Sequence, residues 1–292
     1  MKFECKIPAT SANLGPGFDS IGIALQKYLT VKAQLSKEWT VAFEDDFLNV
    51  LPKDATNYVI QVACRVANHF QKEMPALALT MASDIPLTHG LGSSATAIVA
   101  GIELANYYLD LKLSEFDKIY LASLEEGHPD NVGPCITGGV FVGYFAEKKL
   151  YYEVMDLQGV AAIISTPHYE LSTKESRKVL PQAYTKADSI NQNALSSVMV
   201  LSLLKQNFVQ MGQLMMQDKF HEPYRQPLIA EFAPVKETAL ANGAYATVIS
   251  GAGPSILTLC PAENVSAILD ALRQTVDCAH EEVAILNRKA SM

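Results

Sequence analysis

The chain has 292 residues, 49% of them hydrophobic and 18% charged, with a formal net charge of −8 at pH 7. That composition is ordinary for a folded globular protein, and the length suits two packed domains or one large one. The acidic balance excludes a broad nucleic-acid footprint, which needs clustered Lys and Arg, so any positive field for an anionic substrate has to be local.

The chain opens Met-Lys-Phe-Glu-Cys, with an acid at Glu4 and no apolar stretch, so no signal peptide is expected. No run of about 18 apolar residues occurs, so no membrane span is expected. Cys5, Cys64, Cys135, Cys260 and Cys278 are scattered and form no CxxC pair. Neither zinc nor a redox motif is suggested, and reduced thiols fit a cytoplasmic protein.

Phe3 to Pro8 reads as a strand, and Thr30 to Leu35 alternates with Val31, Ala33 and Leu35 on one face. From Tyr58 to Phe70 the apolar residues fall on a helical stripe. Leu77 to Met81 reads as a strand, and Ala95, Ile98, Val99, Ile102, Ala105 and Leu109 mark a second helix. A third helix starts at Ser114, with Asp117 in the capping-box position, and stops before Gly127. In the second half, Val160 to Ser165 reads as a buried strand, and helical stretches run from about Asp188 to Gln217 and from Leu228 to Ala241. Strands at Ala246 to Ile249 and Ser255 to Leu259, a helix at Val265 to Arg273 and a strand at Glu282 to Leu286 complete a β–β–α–β order. That order suits an α+β sandwich, and the domain change is placed near residue 155.

The richest stretch is Pro86, Leu87, Thr88, His89, Gly90, Leu91, Gly92, Ser93, Ser94, Ala95 and Thr96, directly before the second helix. Gly90 and Gly92 permit positive φ and close approach of the backbone to a ligand. Ser93 and Ser94 stand where an N-cap belongs. First-turn N–H groups lack intrahelical partners and the helix dipole is positive there, so a phosphate is the natural occupant. The Ser94 hydroxyl is within reach of a Mg²⁺ bridging phosphates. A plain helix start is the bland alternative. A dinucleotide-binding fingerprint fits formally, with Asp110 further on, but Pro86 to His89 separate the strand from the glycines where that fingerprint needs a tight junction. No Lys follows the glycines, so this is no Walker A loop.

Two other loops stand out. Pro8 to Gly22 carries the rigid turn Gly15-Pro16-Gly17 amid Thr10, Ser11, Asn13 and Asp19. Ser250 to Ser255 reads Ser-Gly-Ala-Gly-Pro-Ser between two apolar strands. It is a hairpin loop or a set of N–H groups presented to a ligand. Pro-x-Thr-Ser-Ala-Asn-Leu-Gly-Pro-Gly-Phe-Asp, Gly-Leu-Gly-Ser-Ser-Ala and Ser-Gly-Ala-Gly-Pro-Ser, in this order, resemble the three signature motifs of the GHMP small-molecule kinases. The resemblance implies a two-domain α+β GHMP kinase fold. Residues 1–155 would form an N-terminal nucleotide-binding domain similar to domain 2 of ribosomal protein S5, and residues 156–292 a ferredoxin-like C-terminal domain. It implies ATP over the Gly90–Ser94 loop, Asn57 near the adenine, and a homodimer by analogy.

Glu125 and Glu126 end the third helix, where the dipole disfavours acids by a few tenths of a kcal/mol. A divalent cation reverses that sign, and Mg²⁺ takes one or two protein carboxylates plus phosphate oxygens. Glu126 is therefore the expected metal ligand, with the Ser94 hydroxyl opposite, and the resemblance agrees.

The acceptor has to be read from the remaining polar groups. Ser-Thr-x-x-x-Arg-x-x-Leu-Pro around Arg177, His-Glu-x-Tyr-Arg ending at Arg225, and Glu-Gly-His-Pro-Asp-Asn from Glu126 resemble the homoserine-kinase branch of the family. Taken alone, each Arg would be read as a surface charge. The resemblance implies that L-homoserine is the substrate, with Thr173, Arg177 and Arg225 at its amino-acid end. Asn13, Asp19, His128 and Asn131 would surround its hydroxyl. Some relatives carry an Asp at about the position of Asn131, and an amide cannot act as a base. Asp19 is the alternative, but an aspartate carboxylate is a weak base unless its surroundings perturb it. The expectation is that Asn131 and Asp19 orient the hydroxyl and that no strong base acts. The rival readings are a mevalonate-type alcohol kinase on the same fold, a non-catalytic binding protein and a nicotinamide dehydrogenase.

Overall fold

The computed structural model describes residues 2–288; Met1 and residues 289–292, the outermost ends of the two expected domains, lie outside the described residues. Strand β1 (Lys2–Ala12) pairs antiparallel with β2 (Ile21–Leu35) along its whole length, with a register shift between Pro8 and Ala9. The expected strands were the solvent-edge parts of these two. Each strand runs further: β1 continues into Ala9 to Ala12, whose small or polar side chains hid the alternation although Thr10 and Ser11 are fully buried, and β2 begins earlier, at the buried Ile21, Ile23 and Leu25. On the other side of β2 lie β3 (Thr40–Phe43) and β4 (Leu77–Ser83), then β5 (Val140–Ala146) and β6 (Lys149–Met155), in the order β3-β4-β2-β5-β6.

The β5–β6 hairpin and β3 were not read from the sequence. Glu147 and Lys148 form the β5–β6 turn with φ of 51° and 58°. A two-residue turn of that kind normally shows itself by Asn-Gly or Asp-Gly, and Glu-Lys gives no such signal. Helices α1 (Tyr58–His69), α2 (Ser93–Tyr108), α3 (Glu115–Glu126) and the short α4 (Val132–Thr137) pack with this sheet. Helix α3 begins as expected: Ser114 accepts from the Asp117 N–H, Asp117 caps Ser114 in return, and Gly127 ends the helix at φ 91°.

The second sheet contains β7 (Ala161–Thr166), β8 (Ala246–Ile249), β9 (Ile256–Cys260) and β10 (Ala279–Val283), all antiparallel, in the order β10-β7-β9-β8. Taken as the first to fourth strands of the unit, they follow the 4-1-3-2 order of a ferredoxin-like sheet. Strand β10 lies three residues before the expected Glu282–Leu286. The apolar tail after Val283 leaves this sheet: Ile285 bridges Leu25 of β2, and the Leu286 N–H donates to Ala24. Between β7 and β8 come α5 (Thr173–Lys178), α6 (Lys186–Leu204), α7 (Phe208–Met215), α8 (Glu222–Arg225) and α9 (Phe232–Ala241), and α10 (Val265–Thr275) follows β9. Among the described residues no helix is long and apolar enough to cross a membrane.

The alternation of the second sheet joins the two halves. Ile163, Ile249 and Ile256 point to α9 and α10 and pack with Phe232, Val235, Ile268 and Leu272. Their neighbours Ala162, Ile164, Val248 and Leu257 point the other way, into the core that also holds Val31, Leu79 and Ile98 of the first half. With the sheets fixed on one shared core, the loops after β1, before α2, after α3 and after β8 converge on one cleft.

Candidate active site

That cleft has a volume of about 390 Å³. Its floor is the segment before α2. Gly90 and Gly92 have φ of 74° and 72°. A Cβ at Gly90 would collide with the Ser250 carbonyl oxygen, and one at Gly92 with the Thr10 hydroxyl. Only glycine meets both demands. The expected cap is corrected by one residue: Gly92 is the N-cap, no side chain caps the helix, and Ser93 and Ser94 occupy its first turn. Capping would have spent these hydroxyls on the backbone; here Ser93, Ser94 and Ala95 line the cleft. The positive end of α2 therefore faces it.

Across from α2 stands the turn that follows α3. The two acids ending that helix have separate tasks. Glu125 pairs with Arg65, whose Nη2 is 2.8 Å from Glu125 Oε2. Glu126 lines the cleft and has no side-chain hydrogen bond or ion pair among the described residues. Burial is the main cause that pushes its carboxyl above the usual range, with Asp130 and Asp19 adding to it and His128 and Arg177 opposing. The Tyr58 phenol lies beside Glu126 and the Ser94 hydroxyl. Next along, His128 is hydrogen-bonded through Nδ1 to the buried Asp130. Burial works against its charged form, but the Asp130 carboxylate and its hydrogen bond, helped by Asp19 and Glu126, raise its pKa to about 9. Asn131 accepts from Thr10 Oγ1 at 2.8 Å. Asp19, His128 and Asp130 also bring one ligand atom each within 4.8 Å of one another.

The far wall comes from the second half of the chain. Arg177, on α5, holds the Asp19 carboxylate in a fork, with Nη2–Oδ1 at 2.9 Å and Nη1–Oδ2 at 3.3 Å. Thr173 begins the same helix and lines the cleft. Arg225 is only 2% exposed; its Nη1 donates to the Gly251 carbonyl at 2.9 Å, and its Nε lies 3.4 Å from the Ser176 carbonyl. Nη2 has no protein partner among the described residues. Burial, with the nearby Arg177 charge, lowers the Arg225 pKa to about 10. Asn13 is used structurally at both ends of its amide: Nδ2 donates to Gly251 and Oδ1 accepts from the Asp19 N–H, each at 3.0 Å.

Thus Asn13, Asp19, Leu87, Thr88, His89, Gly90, Gly92, Ser93, Ser94, Ala95, Glu126, His128, Asn131, Thr173, Arg177 and Arg225 share one cleft. Other residues of the expected set do not line it. Asn57 is buried, caps α1 through the Val59 N–H and donates to the Pro52 carbonyl. Leu91 and Thr96 are 1% exposed, and the Thr96 hydroxyl donates to the Ser93 carbonyl. Pro86 lines an adjoining groove with Phe47, Val50 and Glu170. The Ser250–Ser255 segment is both a hairpin and a clasp: the Gly251 N–H donates to Ala12, the Ser255 N–H to His89, and the Ser250 hydroxyl to Gly90. Sequence reasoning missed Phe18, whose ring lies under Arg225 at 5.4 Å and Arg177 at 5.8 Å, and the buried His221 and Asp218. An aromatic after the Gly-Pro-Gly turn was the available signal for Phe18.

Residues 57–139 match the family model for the GHMP kinases N-terminal domain, and residues 199–278 match that for the GHMP kinases C-terminal domain. A curated homoserine kinase of Staphylococcus aureus is 46% identical over 288 residues, covering 97% of this chain and 95% of its own. The chain belongs to the homoserine kinase family. A solved homoserine kinase from Cytophaga hutchinsonii superposes on this GHMP kinase with a TM-score of 0.86 at 30% identity, over 99% of this chain and 96% of that one. The L. major mevalonate kinase in complex with R-mevalonate superposes with a TM-score of 0.73 at 15% identity, over 99% and 97% of the two chains, which shows the shared fold alone. The fold is the two-domain GHMP kinase fold, and family membership sets aside the dehydrogenase reading of Gly90 and Gly92.

Proposed function

We propose that the chain transfers the γ-phosphoryl group of ATP to the side-chain hydroxyl of L-homoserine, giving O-phospho-L-homoserine, a step of threonine biosynthesis. The observation that carries this reading is the unpartnered Glu126 carboxylate in the same cleft as the uncapped first turn of α2. A carboxylate left without a cation in a half-buried site is costly, and a hard-oxygen donor set suits Mg²⁺. Glu126 and the Ser94 hydroxyl are the residues that would hold the ion, and when bound it neutralises phosphate charge. The N–H groups of the first α2 turn bind phosphate oxygens. Leu87, His89 and the neighbouring groove with Pro86 serve the rest of the nucleotide. Asn57 acts behind this surface, by fixing the start of α1.

Phosphoryl transfer needs positioning and charge stabilisation more than covalent chemistry. Arg225, Arg177 and Thr173 hold the amino-acid end of the substrate. Asp19, Asn131 and His128 surround the hydroxyl, while Asn13 fixes the backbone that carries Asp19. His128, held by Asp130, adds positive charge near the transferred group. Asn131 is an amide already engaged with Thr10, so it orients rather than removes a proton. A boundary near residue 155, a cytoplasmic location and a homodimer complete the proposal; the family is their support.

The test is acceptor selection: purified protein with Mg²⁺ and ATP is offered L-homoserine, mevalonate or galactose, and ADP release is followed. Turnover with homoserine alone supports the proposal. Preference for mevalonate returns the second reading, and no homoserine turnover sinks the first.

A further inference from the structure

His221 is fully buried and touches neither the phosphate loop nor the expected metal ligands. Its ring nitrogens face two different parts of the cleft wall. Nε2 is 3.0 Å from the carbonyl oxygen of Gly15, and Nδ1 is 3.3 Å from Nη1 of Arg225. A carbonyl only accepts a hydrogen bond and a guanidinium only donates one. A single state satisfies both neighbours: the neutral ring with its hydrogen on Nε2. Burial, helped by the Arg225 charge, holds the imidazole pKa down, which keeps the ring neutral although Asp218 opposes this.

The surroundings fix the ring as well. Asp218 is buried and accepts from the backbone N–H groups of Phe220, His221 and Glu222 at 3.2, 2.8 and 2.7 Å. The Gln192 amide donates to Asp218 at 2.6 Å and to the Pro16 carbonyl at 3.1 Å. Phe18 stacks on the His221 ring with centroids 5.3 Å apart. The Gly15-to-Asp19 segment is thus held from the second half of the chain at Gly15, Pro16 and Phe18.

We propose that His221 is a positioning residue: as its Nε2–H tautomer it fixes Arg225, which takes the substrate carboxylate, relative to the Gly15–Asp19 segment, which takes the hydroxyl. This rests on the roles given above to Arg225 and Asp19. A histidine that only fills space would serve equally well with any isosteric replacement; a bridging one has two separable halves. The side-chain oxygen of Asn falls near Nδ1, and the side-chain nitrogen of Gln falls near Nε2.

In the full-length enzyme, His221→Gln keeps the donor to Gly15 and removes the acceptor for Arg225. KM for homoserine should rise about tenfold, with kcat within about threefold of wild type, because losing one hydrogen bond to a buried charged group has an effect of this order. His221→Asn keeps the acceptor and frees the segment that carries Asp19. There kcat should fall about tenfold, with KM for homoserine within about threefold. KM for ATP should hold in both. A common loss in both variants, a reversed split or no change overturns the proposal. If neither variant folds, the ¹⁵N shifts of His221 in histidine-labelled wild-type protein decide it: a protonated Nε2 and bare Nδ1 support the bridge, and a protonated Nδ1 overturns it. Wild-type turnover of homoserine is measured first, so failure of the functional reading shows there, whereas failure of the bridge shows only in the variants or the tautomer.

Discussion

At the C-terminal end of α3, Glu125 is spent on Arg65 and Glu126 is left facing the cleft. Glu126→Gln keeps the size and removes the charge, so kcat should fall by about 100-fold or more, as for loss of a charge-stabilising group, while the melting temperature holds or rises. Glu125→Gln breaks a partly exposed pair of at most about 1 kcal/mol and should leave kcat within about twofold. Steady-state kinetics on the two variants separates them, and equal losses would contradict the assignment. Asp19→Asn tests the absence of a strong base. The expected result is a raised homoserine KM with residual kcat, since the fork with Arg177 is lost; a kcat at background with unchanged homoserine affinity would make Asp19 the base. His128 gives a pH signature. Its folded pKa of about 9 lies above the unfolded value of about 6.5, so its contribution to stability is complete below pH 6.5 and is lost as pH rises through 9. Denaturant titrations at pH 6 and pH 10 should show that loss, and His128→Gln should flatten it.

Among the elements, the junction leading into α2 is tightly constrained by backbone geometry, with Gly90 and Gly92 both at positive φ. Gly92→Ala demands positive φ from alanine and drives its methyl into the Thr10 hydroxyl. A cost of about 1–3 kcal/mol in unfolding free energy is expected, together with weakened nucleotide binding, both measurable on one preparation. Ser114→Ala, at the far end of α3 from Glu126, should cost about 1 kcal/mol and leave KM unchanged. Periodicity and caps made these helices legible in the sequence: Ser114, Asp117 and Gly127 are local signals with local effects. The β5–β6 hairpin was not legible because its Glu-Lys turn carries none of the usual residues. The β10 register was misread because Ile285 and Leu286 are apolar for the sake of β2, a partner remote in sequence. In the site, the glycines and Glu126 could be found from motif and charge, and Arg177 and Arg225 only from the family resemblance, since an isolated Arg reads as a surface charge. Leu91 and Thr96 belonged to the glycine-rich motif and Asn57 was implied by the resemblance, but all three are buried behind the cleft surface, Asn57 capping α1 and Thr96 bonded within α2, which only burial and hydrogen bonding distinguish. His221 stood in the His-Glu-x-Tyr-Arg motif without a readable role, and Asp218 gave no signal, because what both do exists only once the Gly15 segment packs on them.

For the whole molecule, the alternation of β7, β8 and β9 puts one face of the second sheet into the core of the first half, so the two halves should not unfold separately. Leu257→Ala, in that shared core, is expected to lower stability by about 2–5 kcal/mol while the transition stays single by circular dichroism and by tryptophan fluorescence of Trp39. Two separated transitions would mean that the halves are energetically independent. The same packing brings Glu126 and the start of α2 from one half against Arg177 and Arg225 from the other, and the proposed reaction needs all four in one cleft. The most direct measurement is ³¹P NMR of Mg²⁺, ATP and L-homoserine with the wild-type chain and with Glu126→Gln. With wild type, a phosphomonoester resonance should grow in step with ADP; with the variant it should be nearly absent. Inorganic phosphate as the sole product, or an undiminished phosphomonoester signal from the variant, would contradict the account.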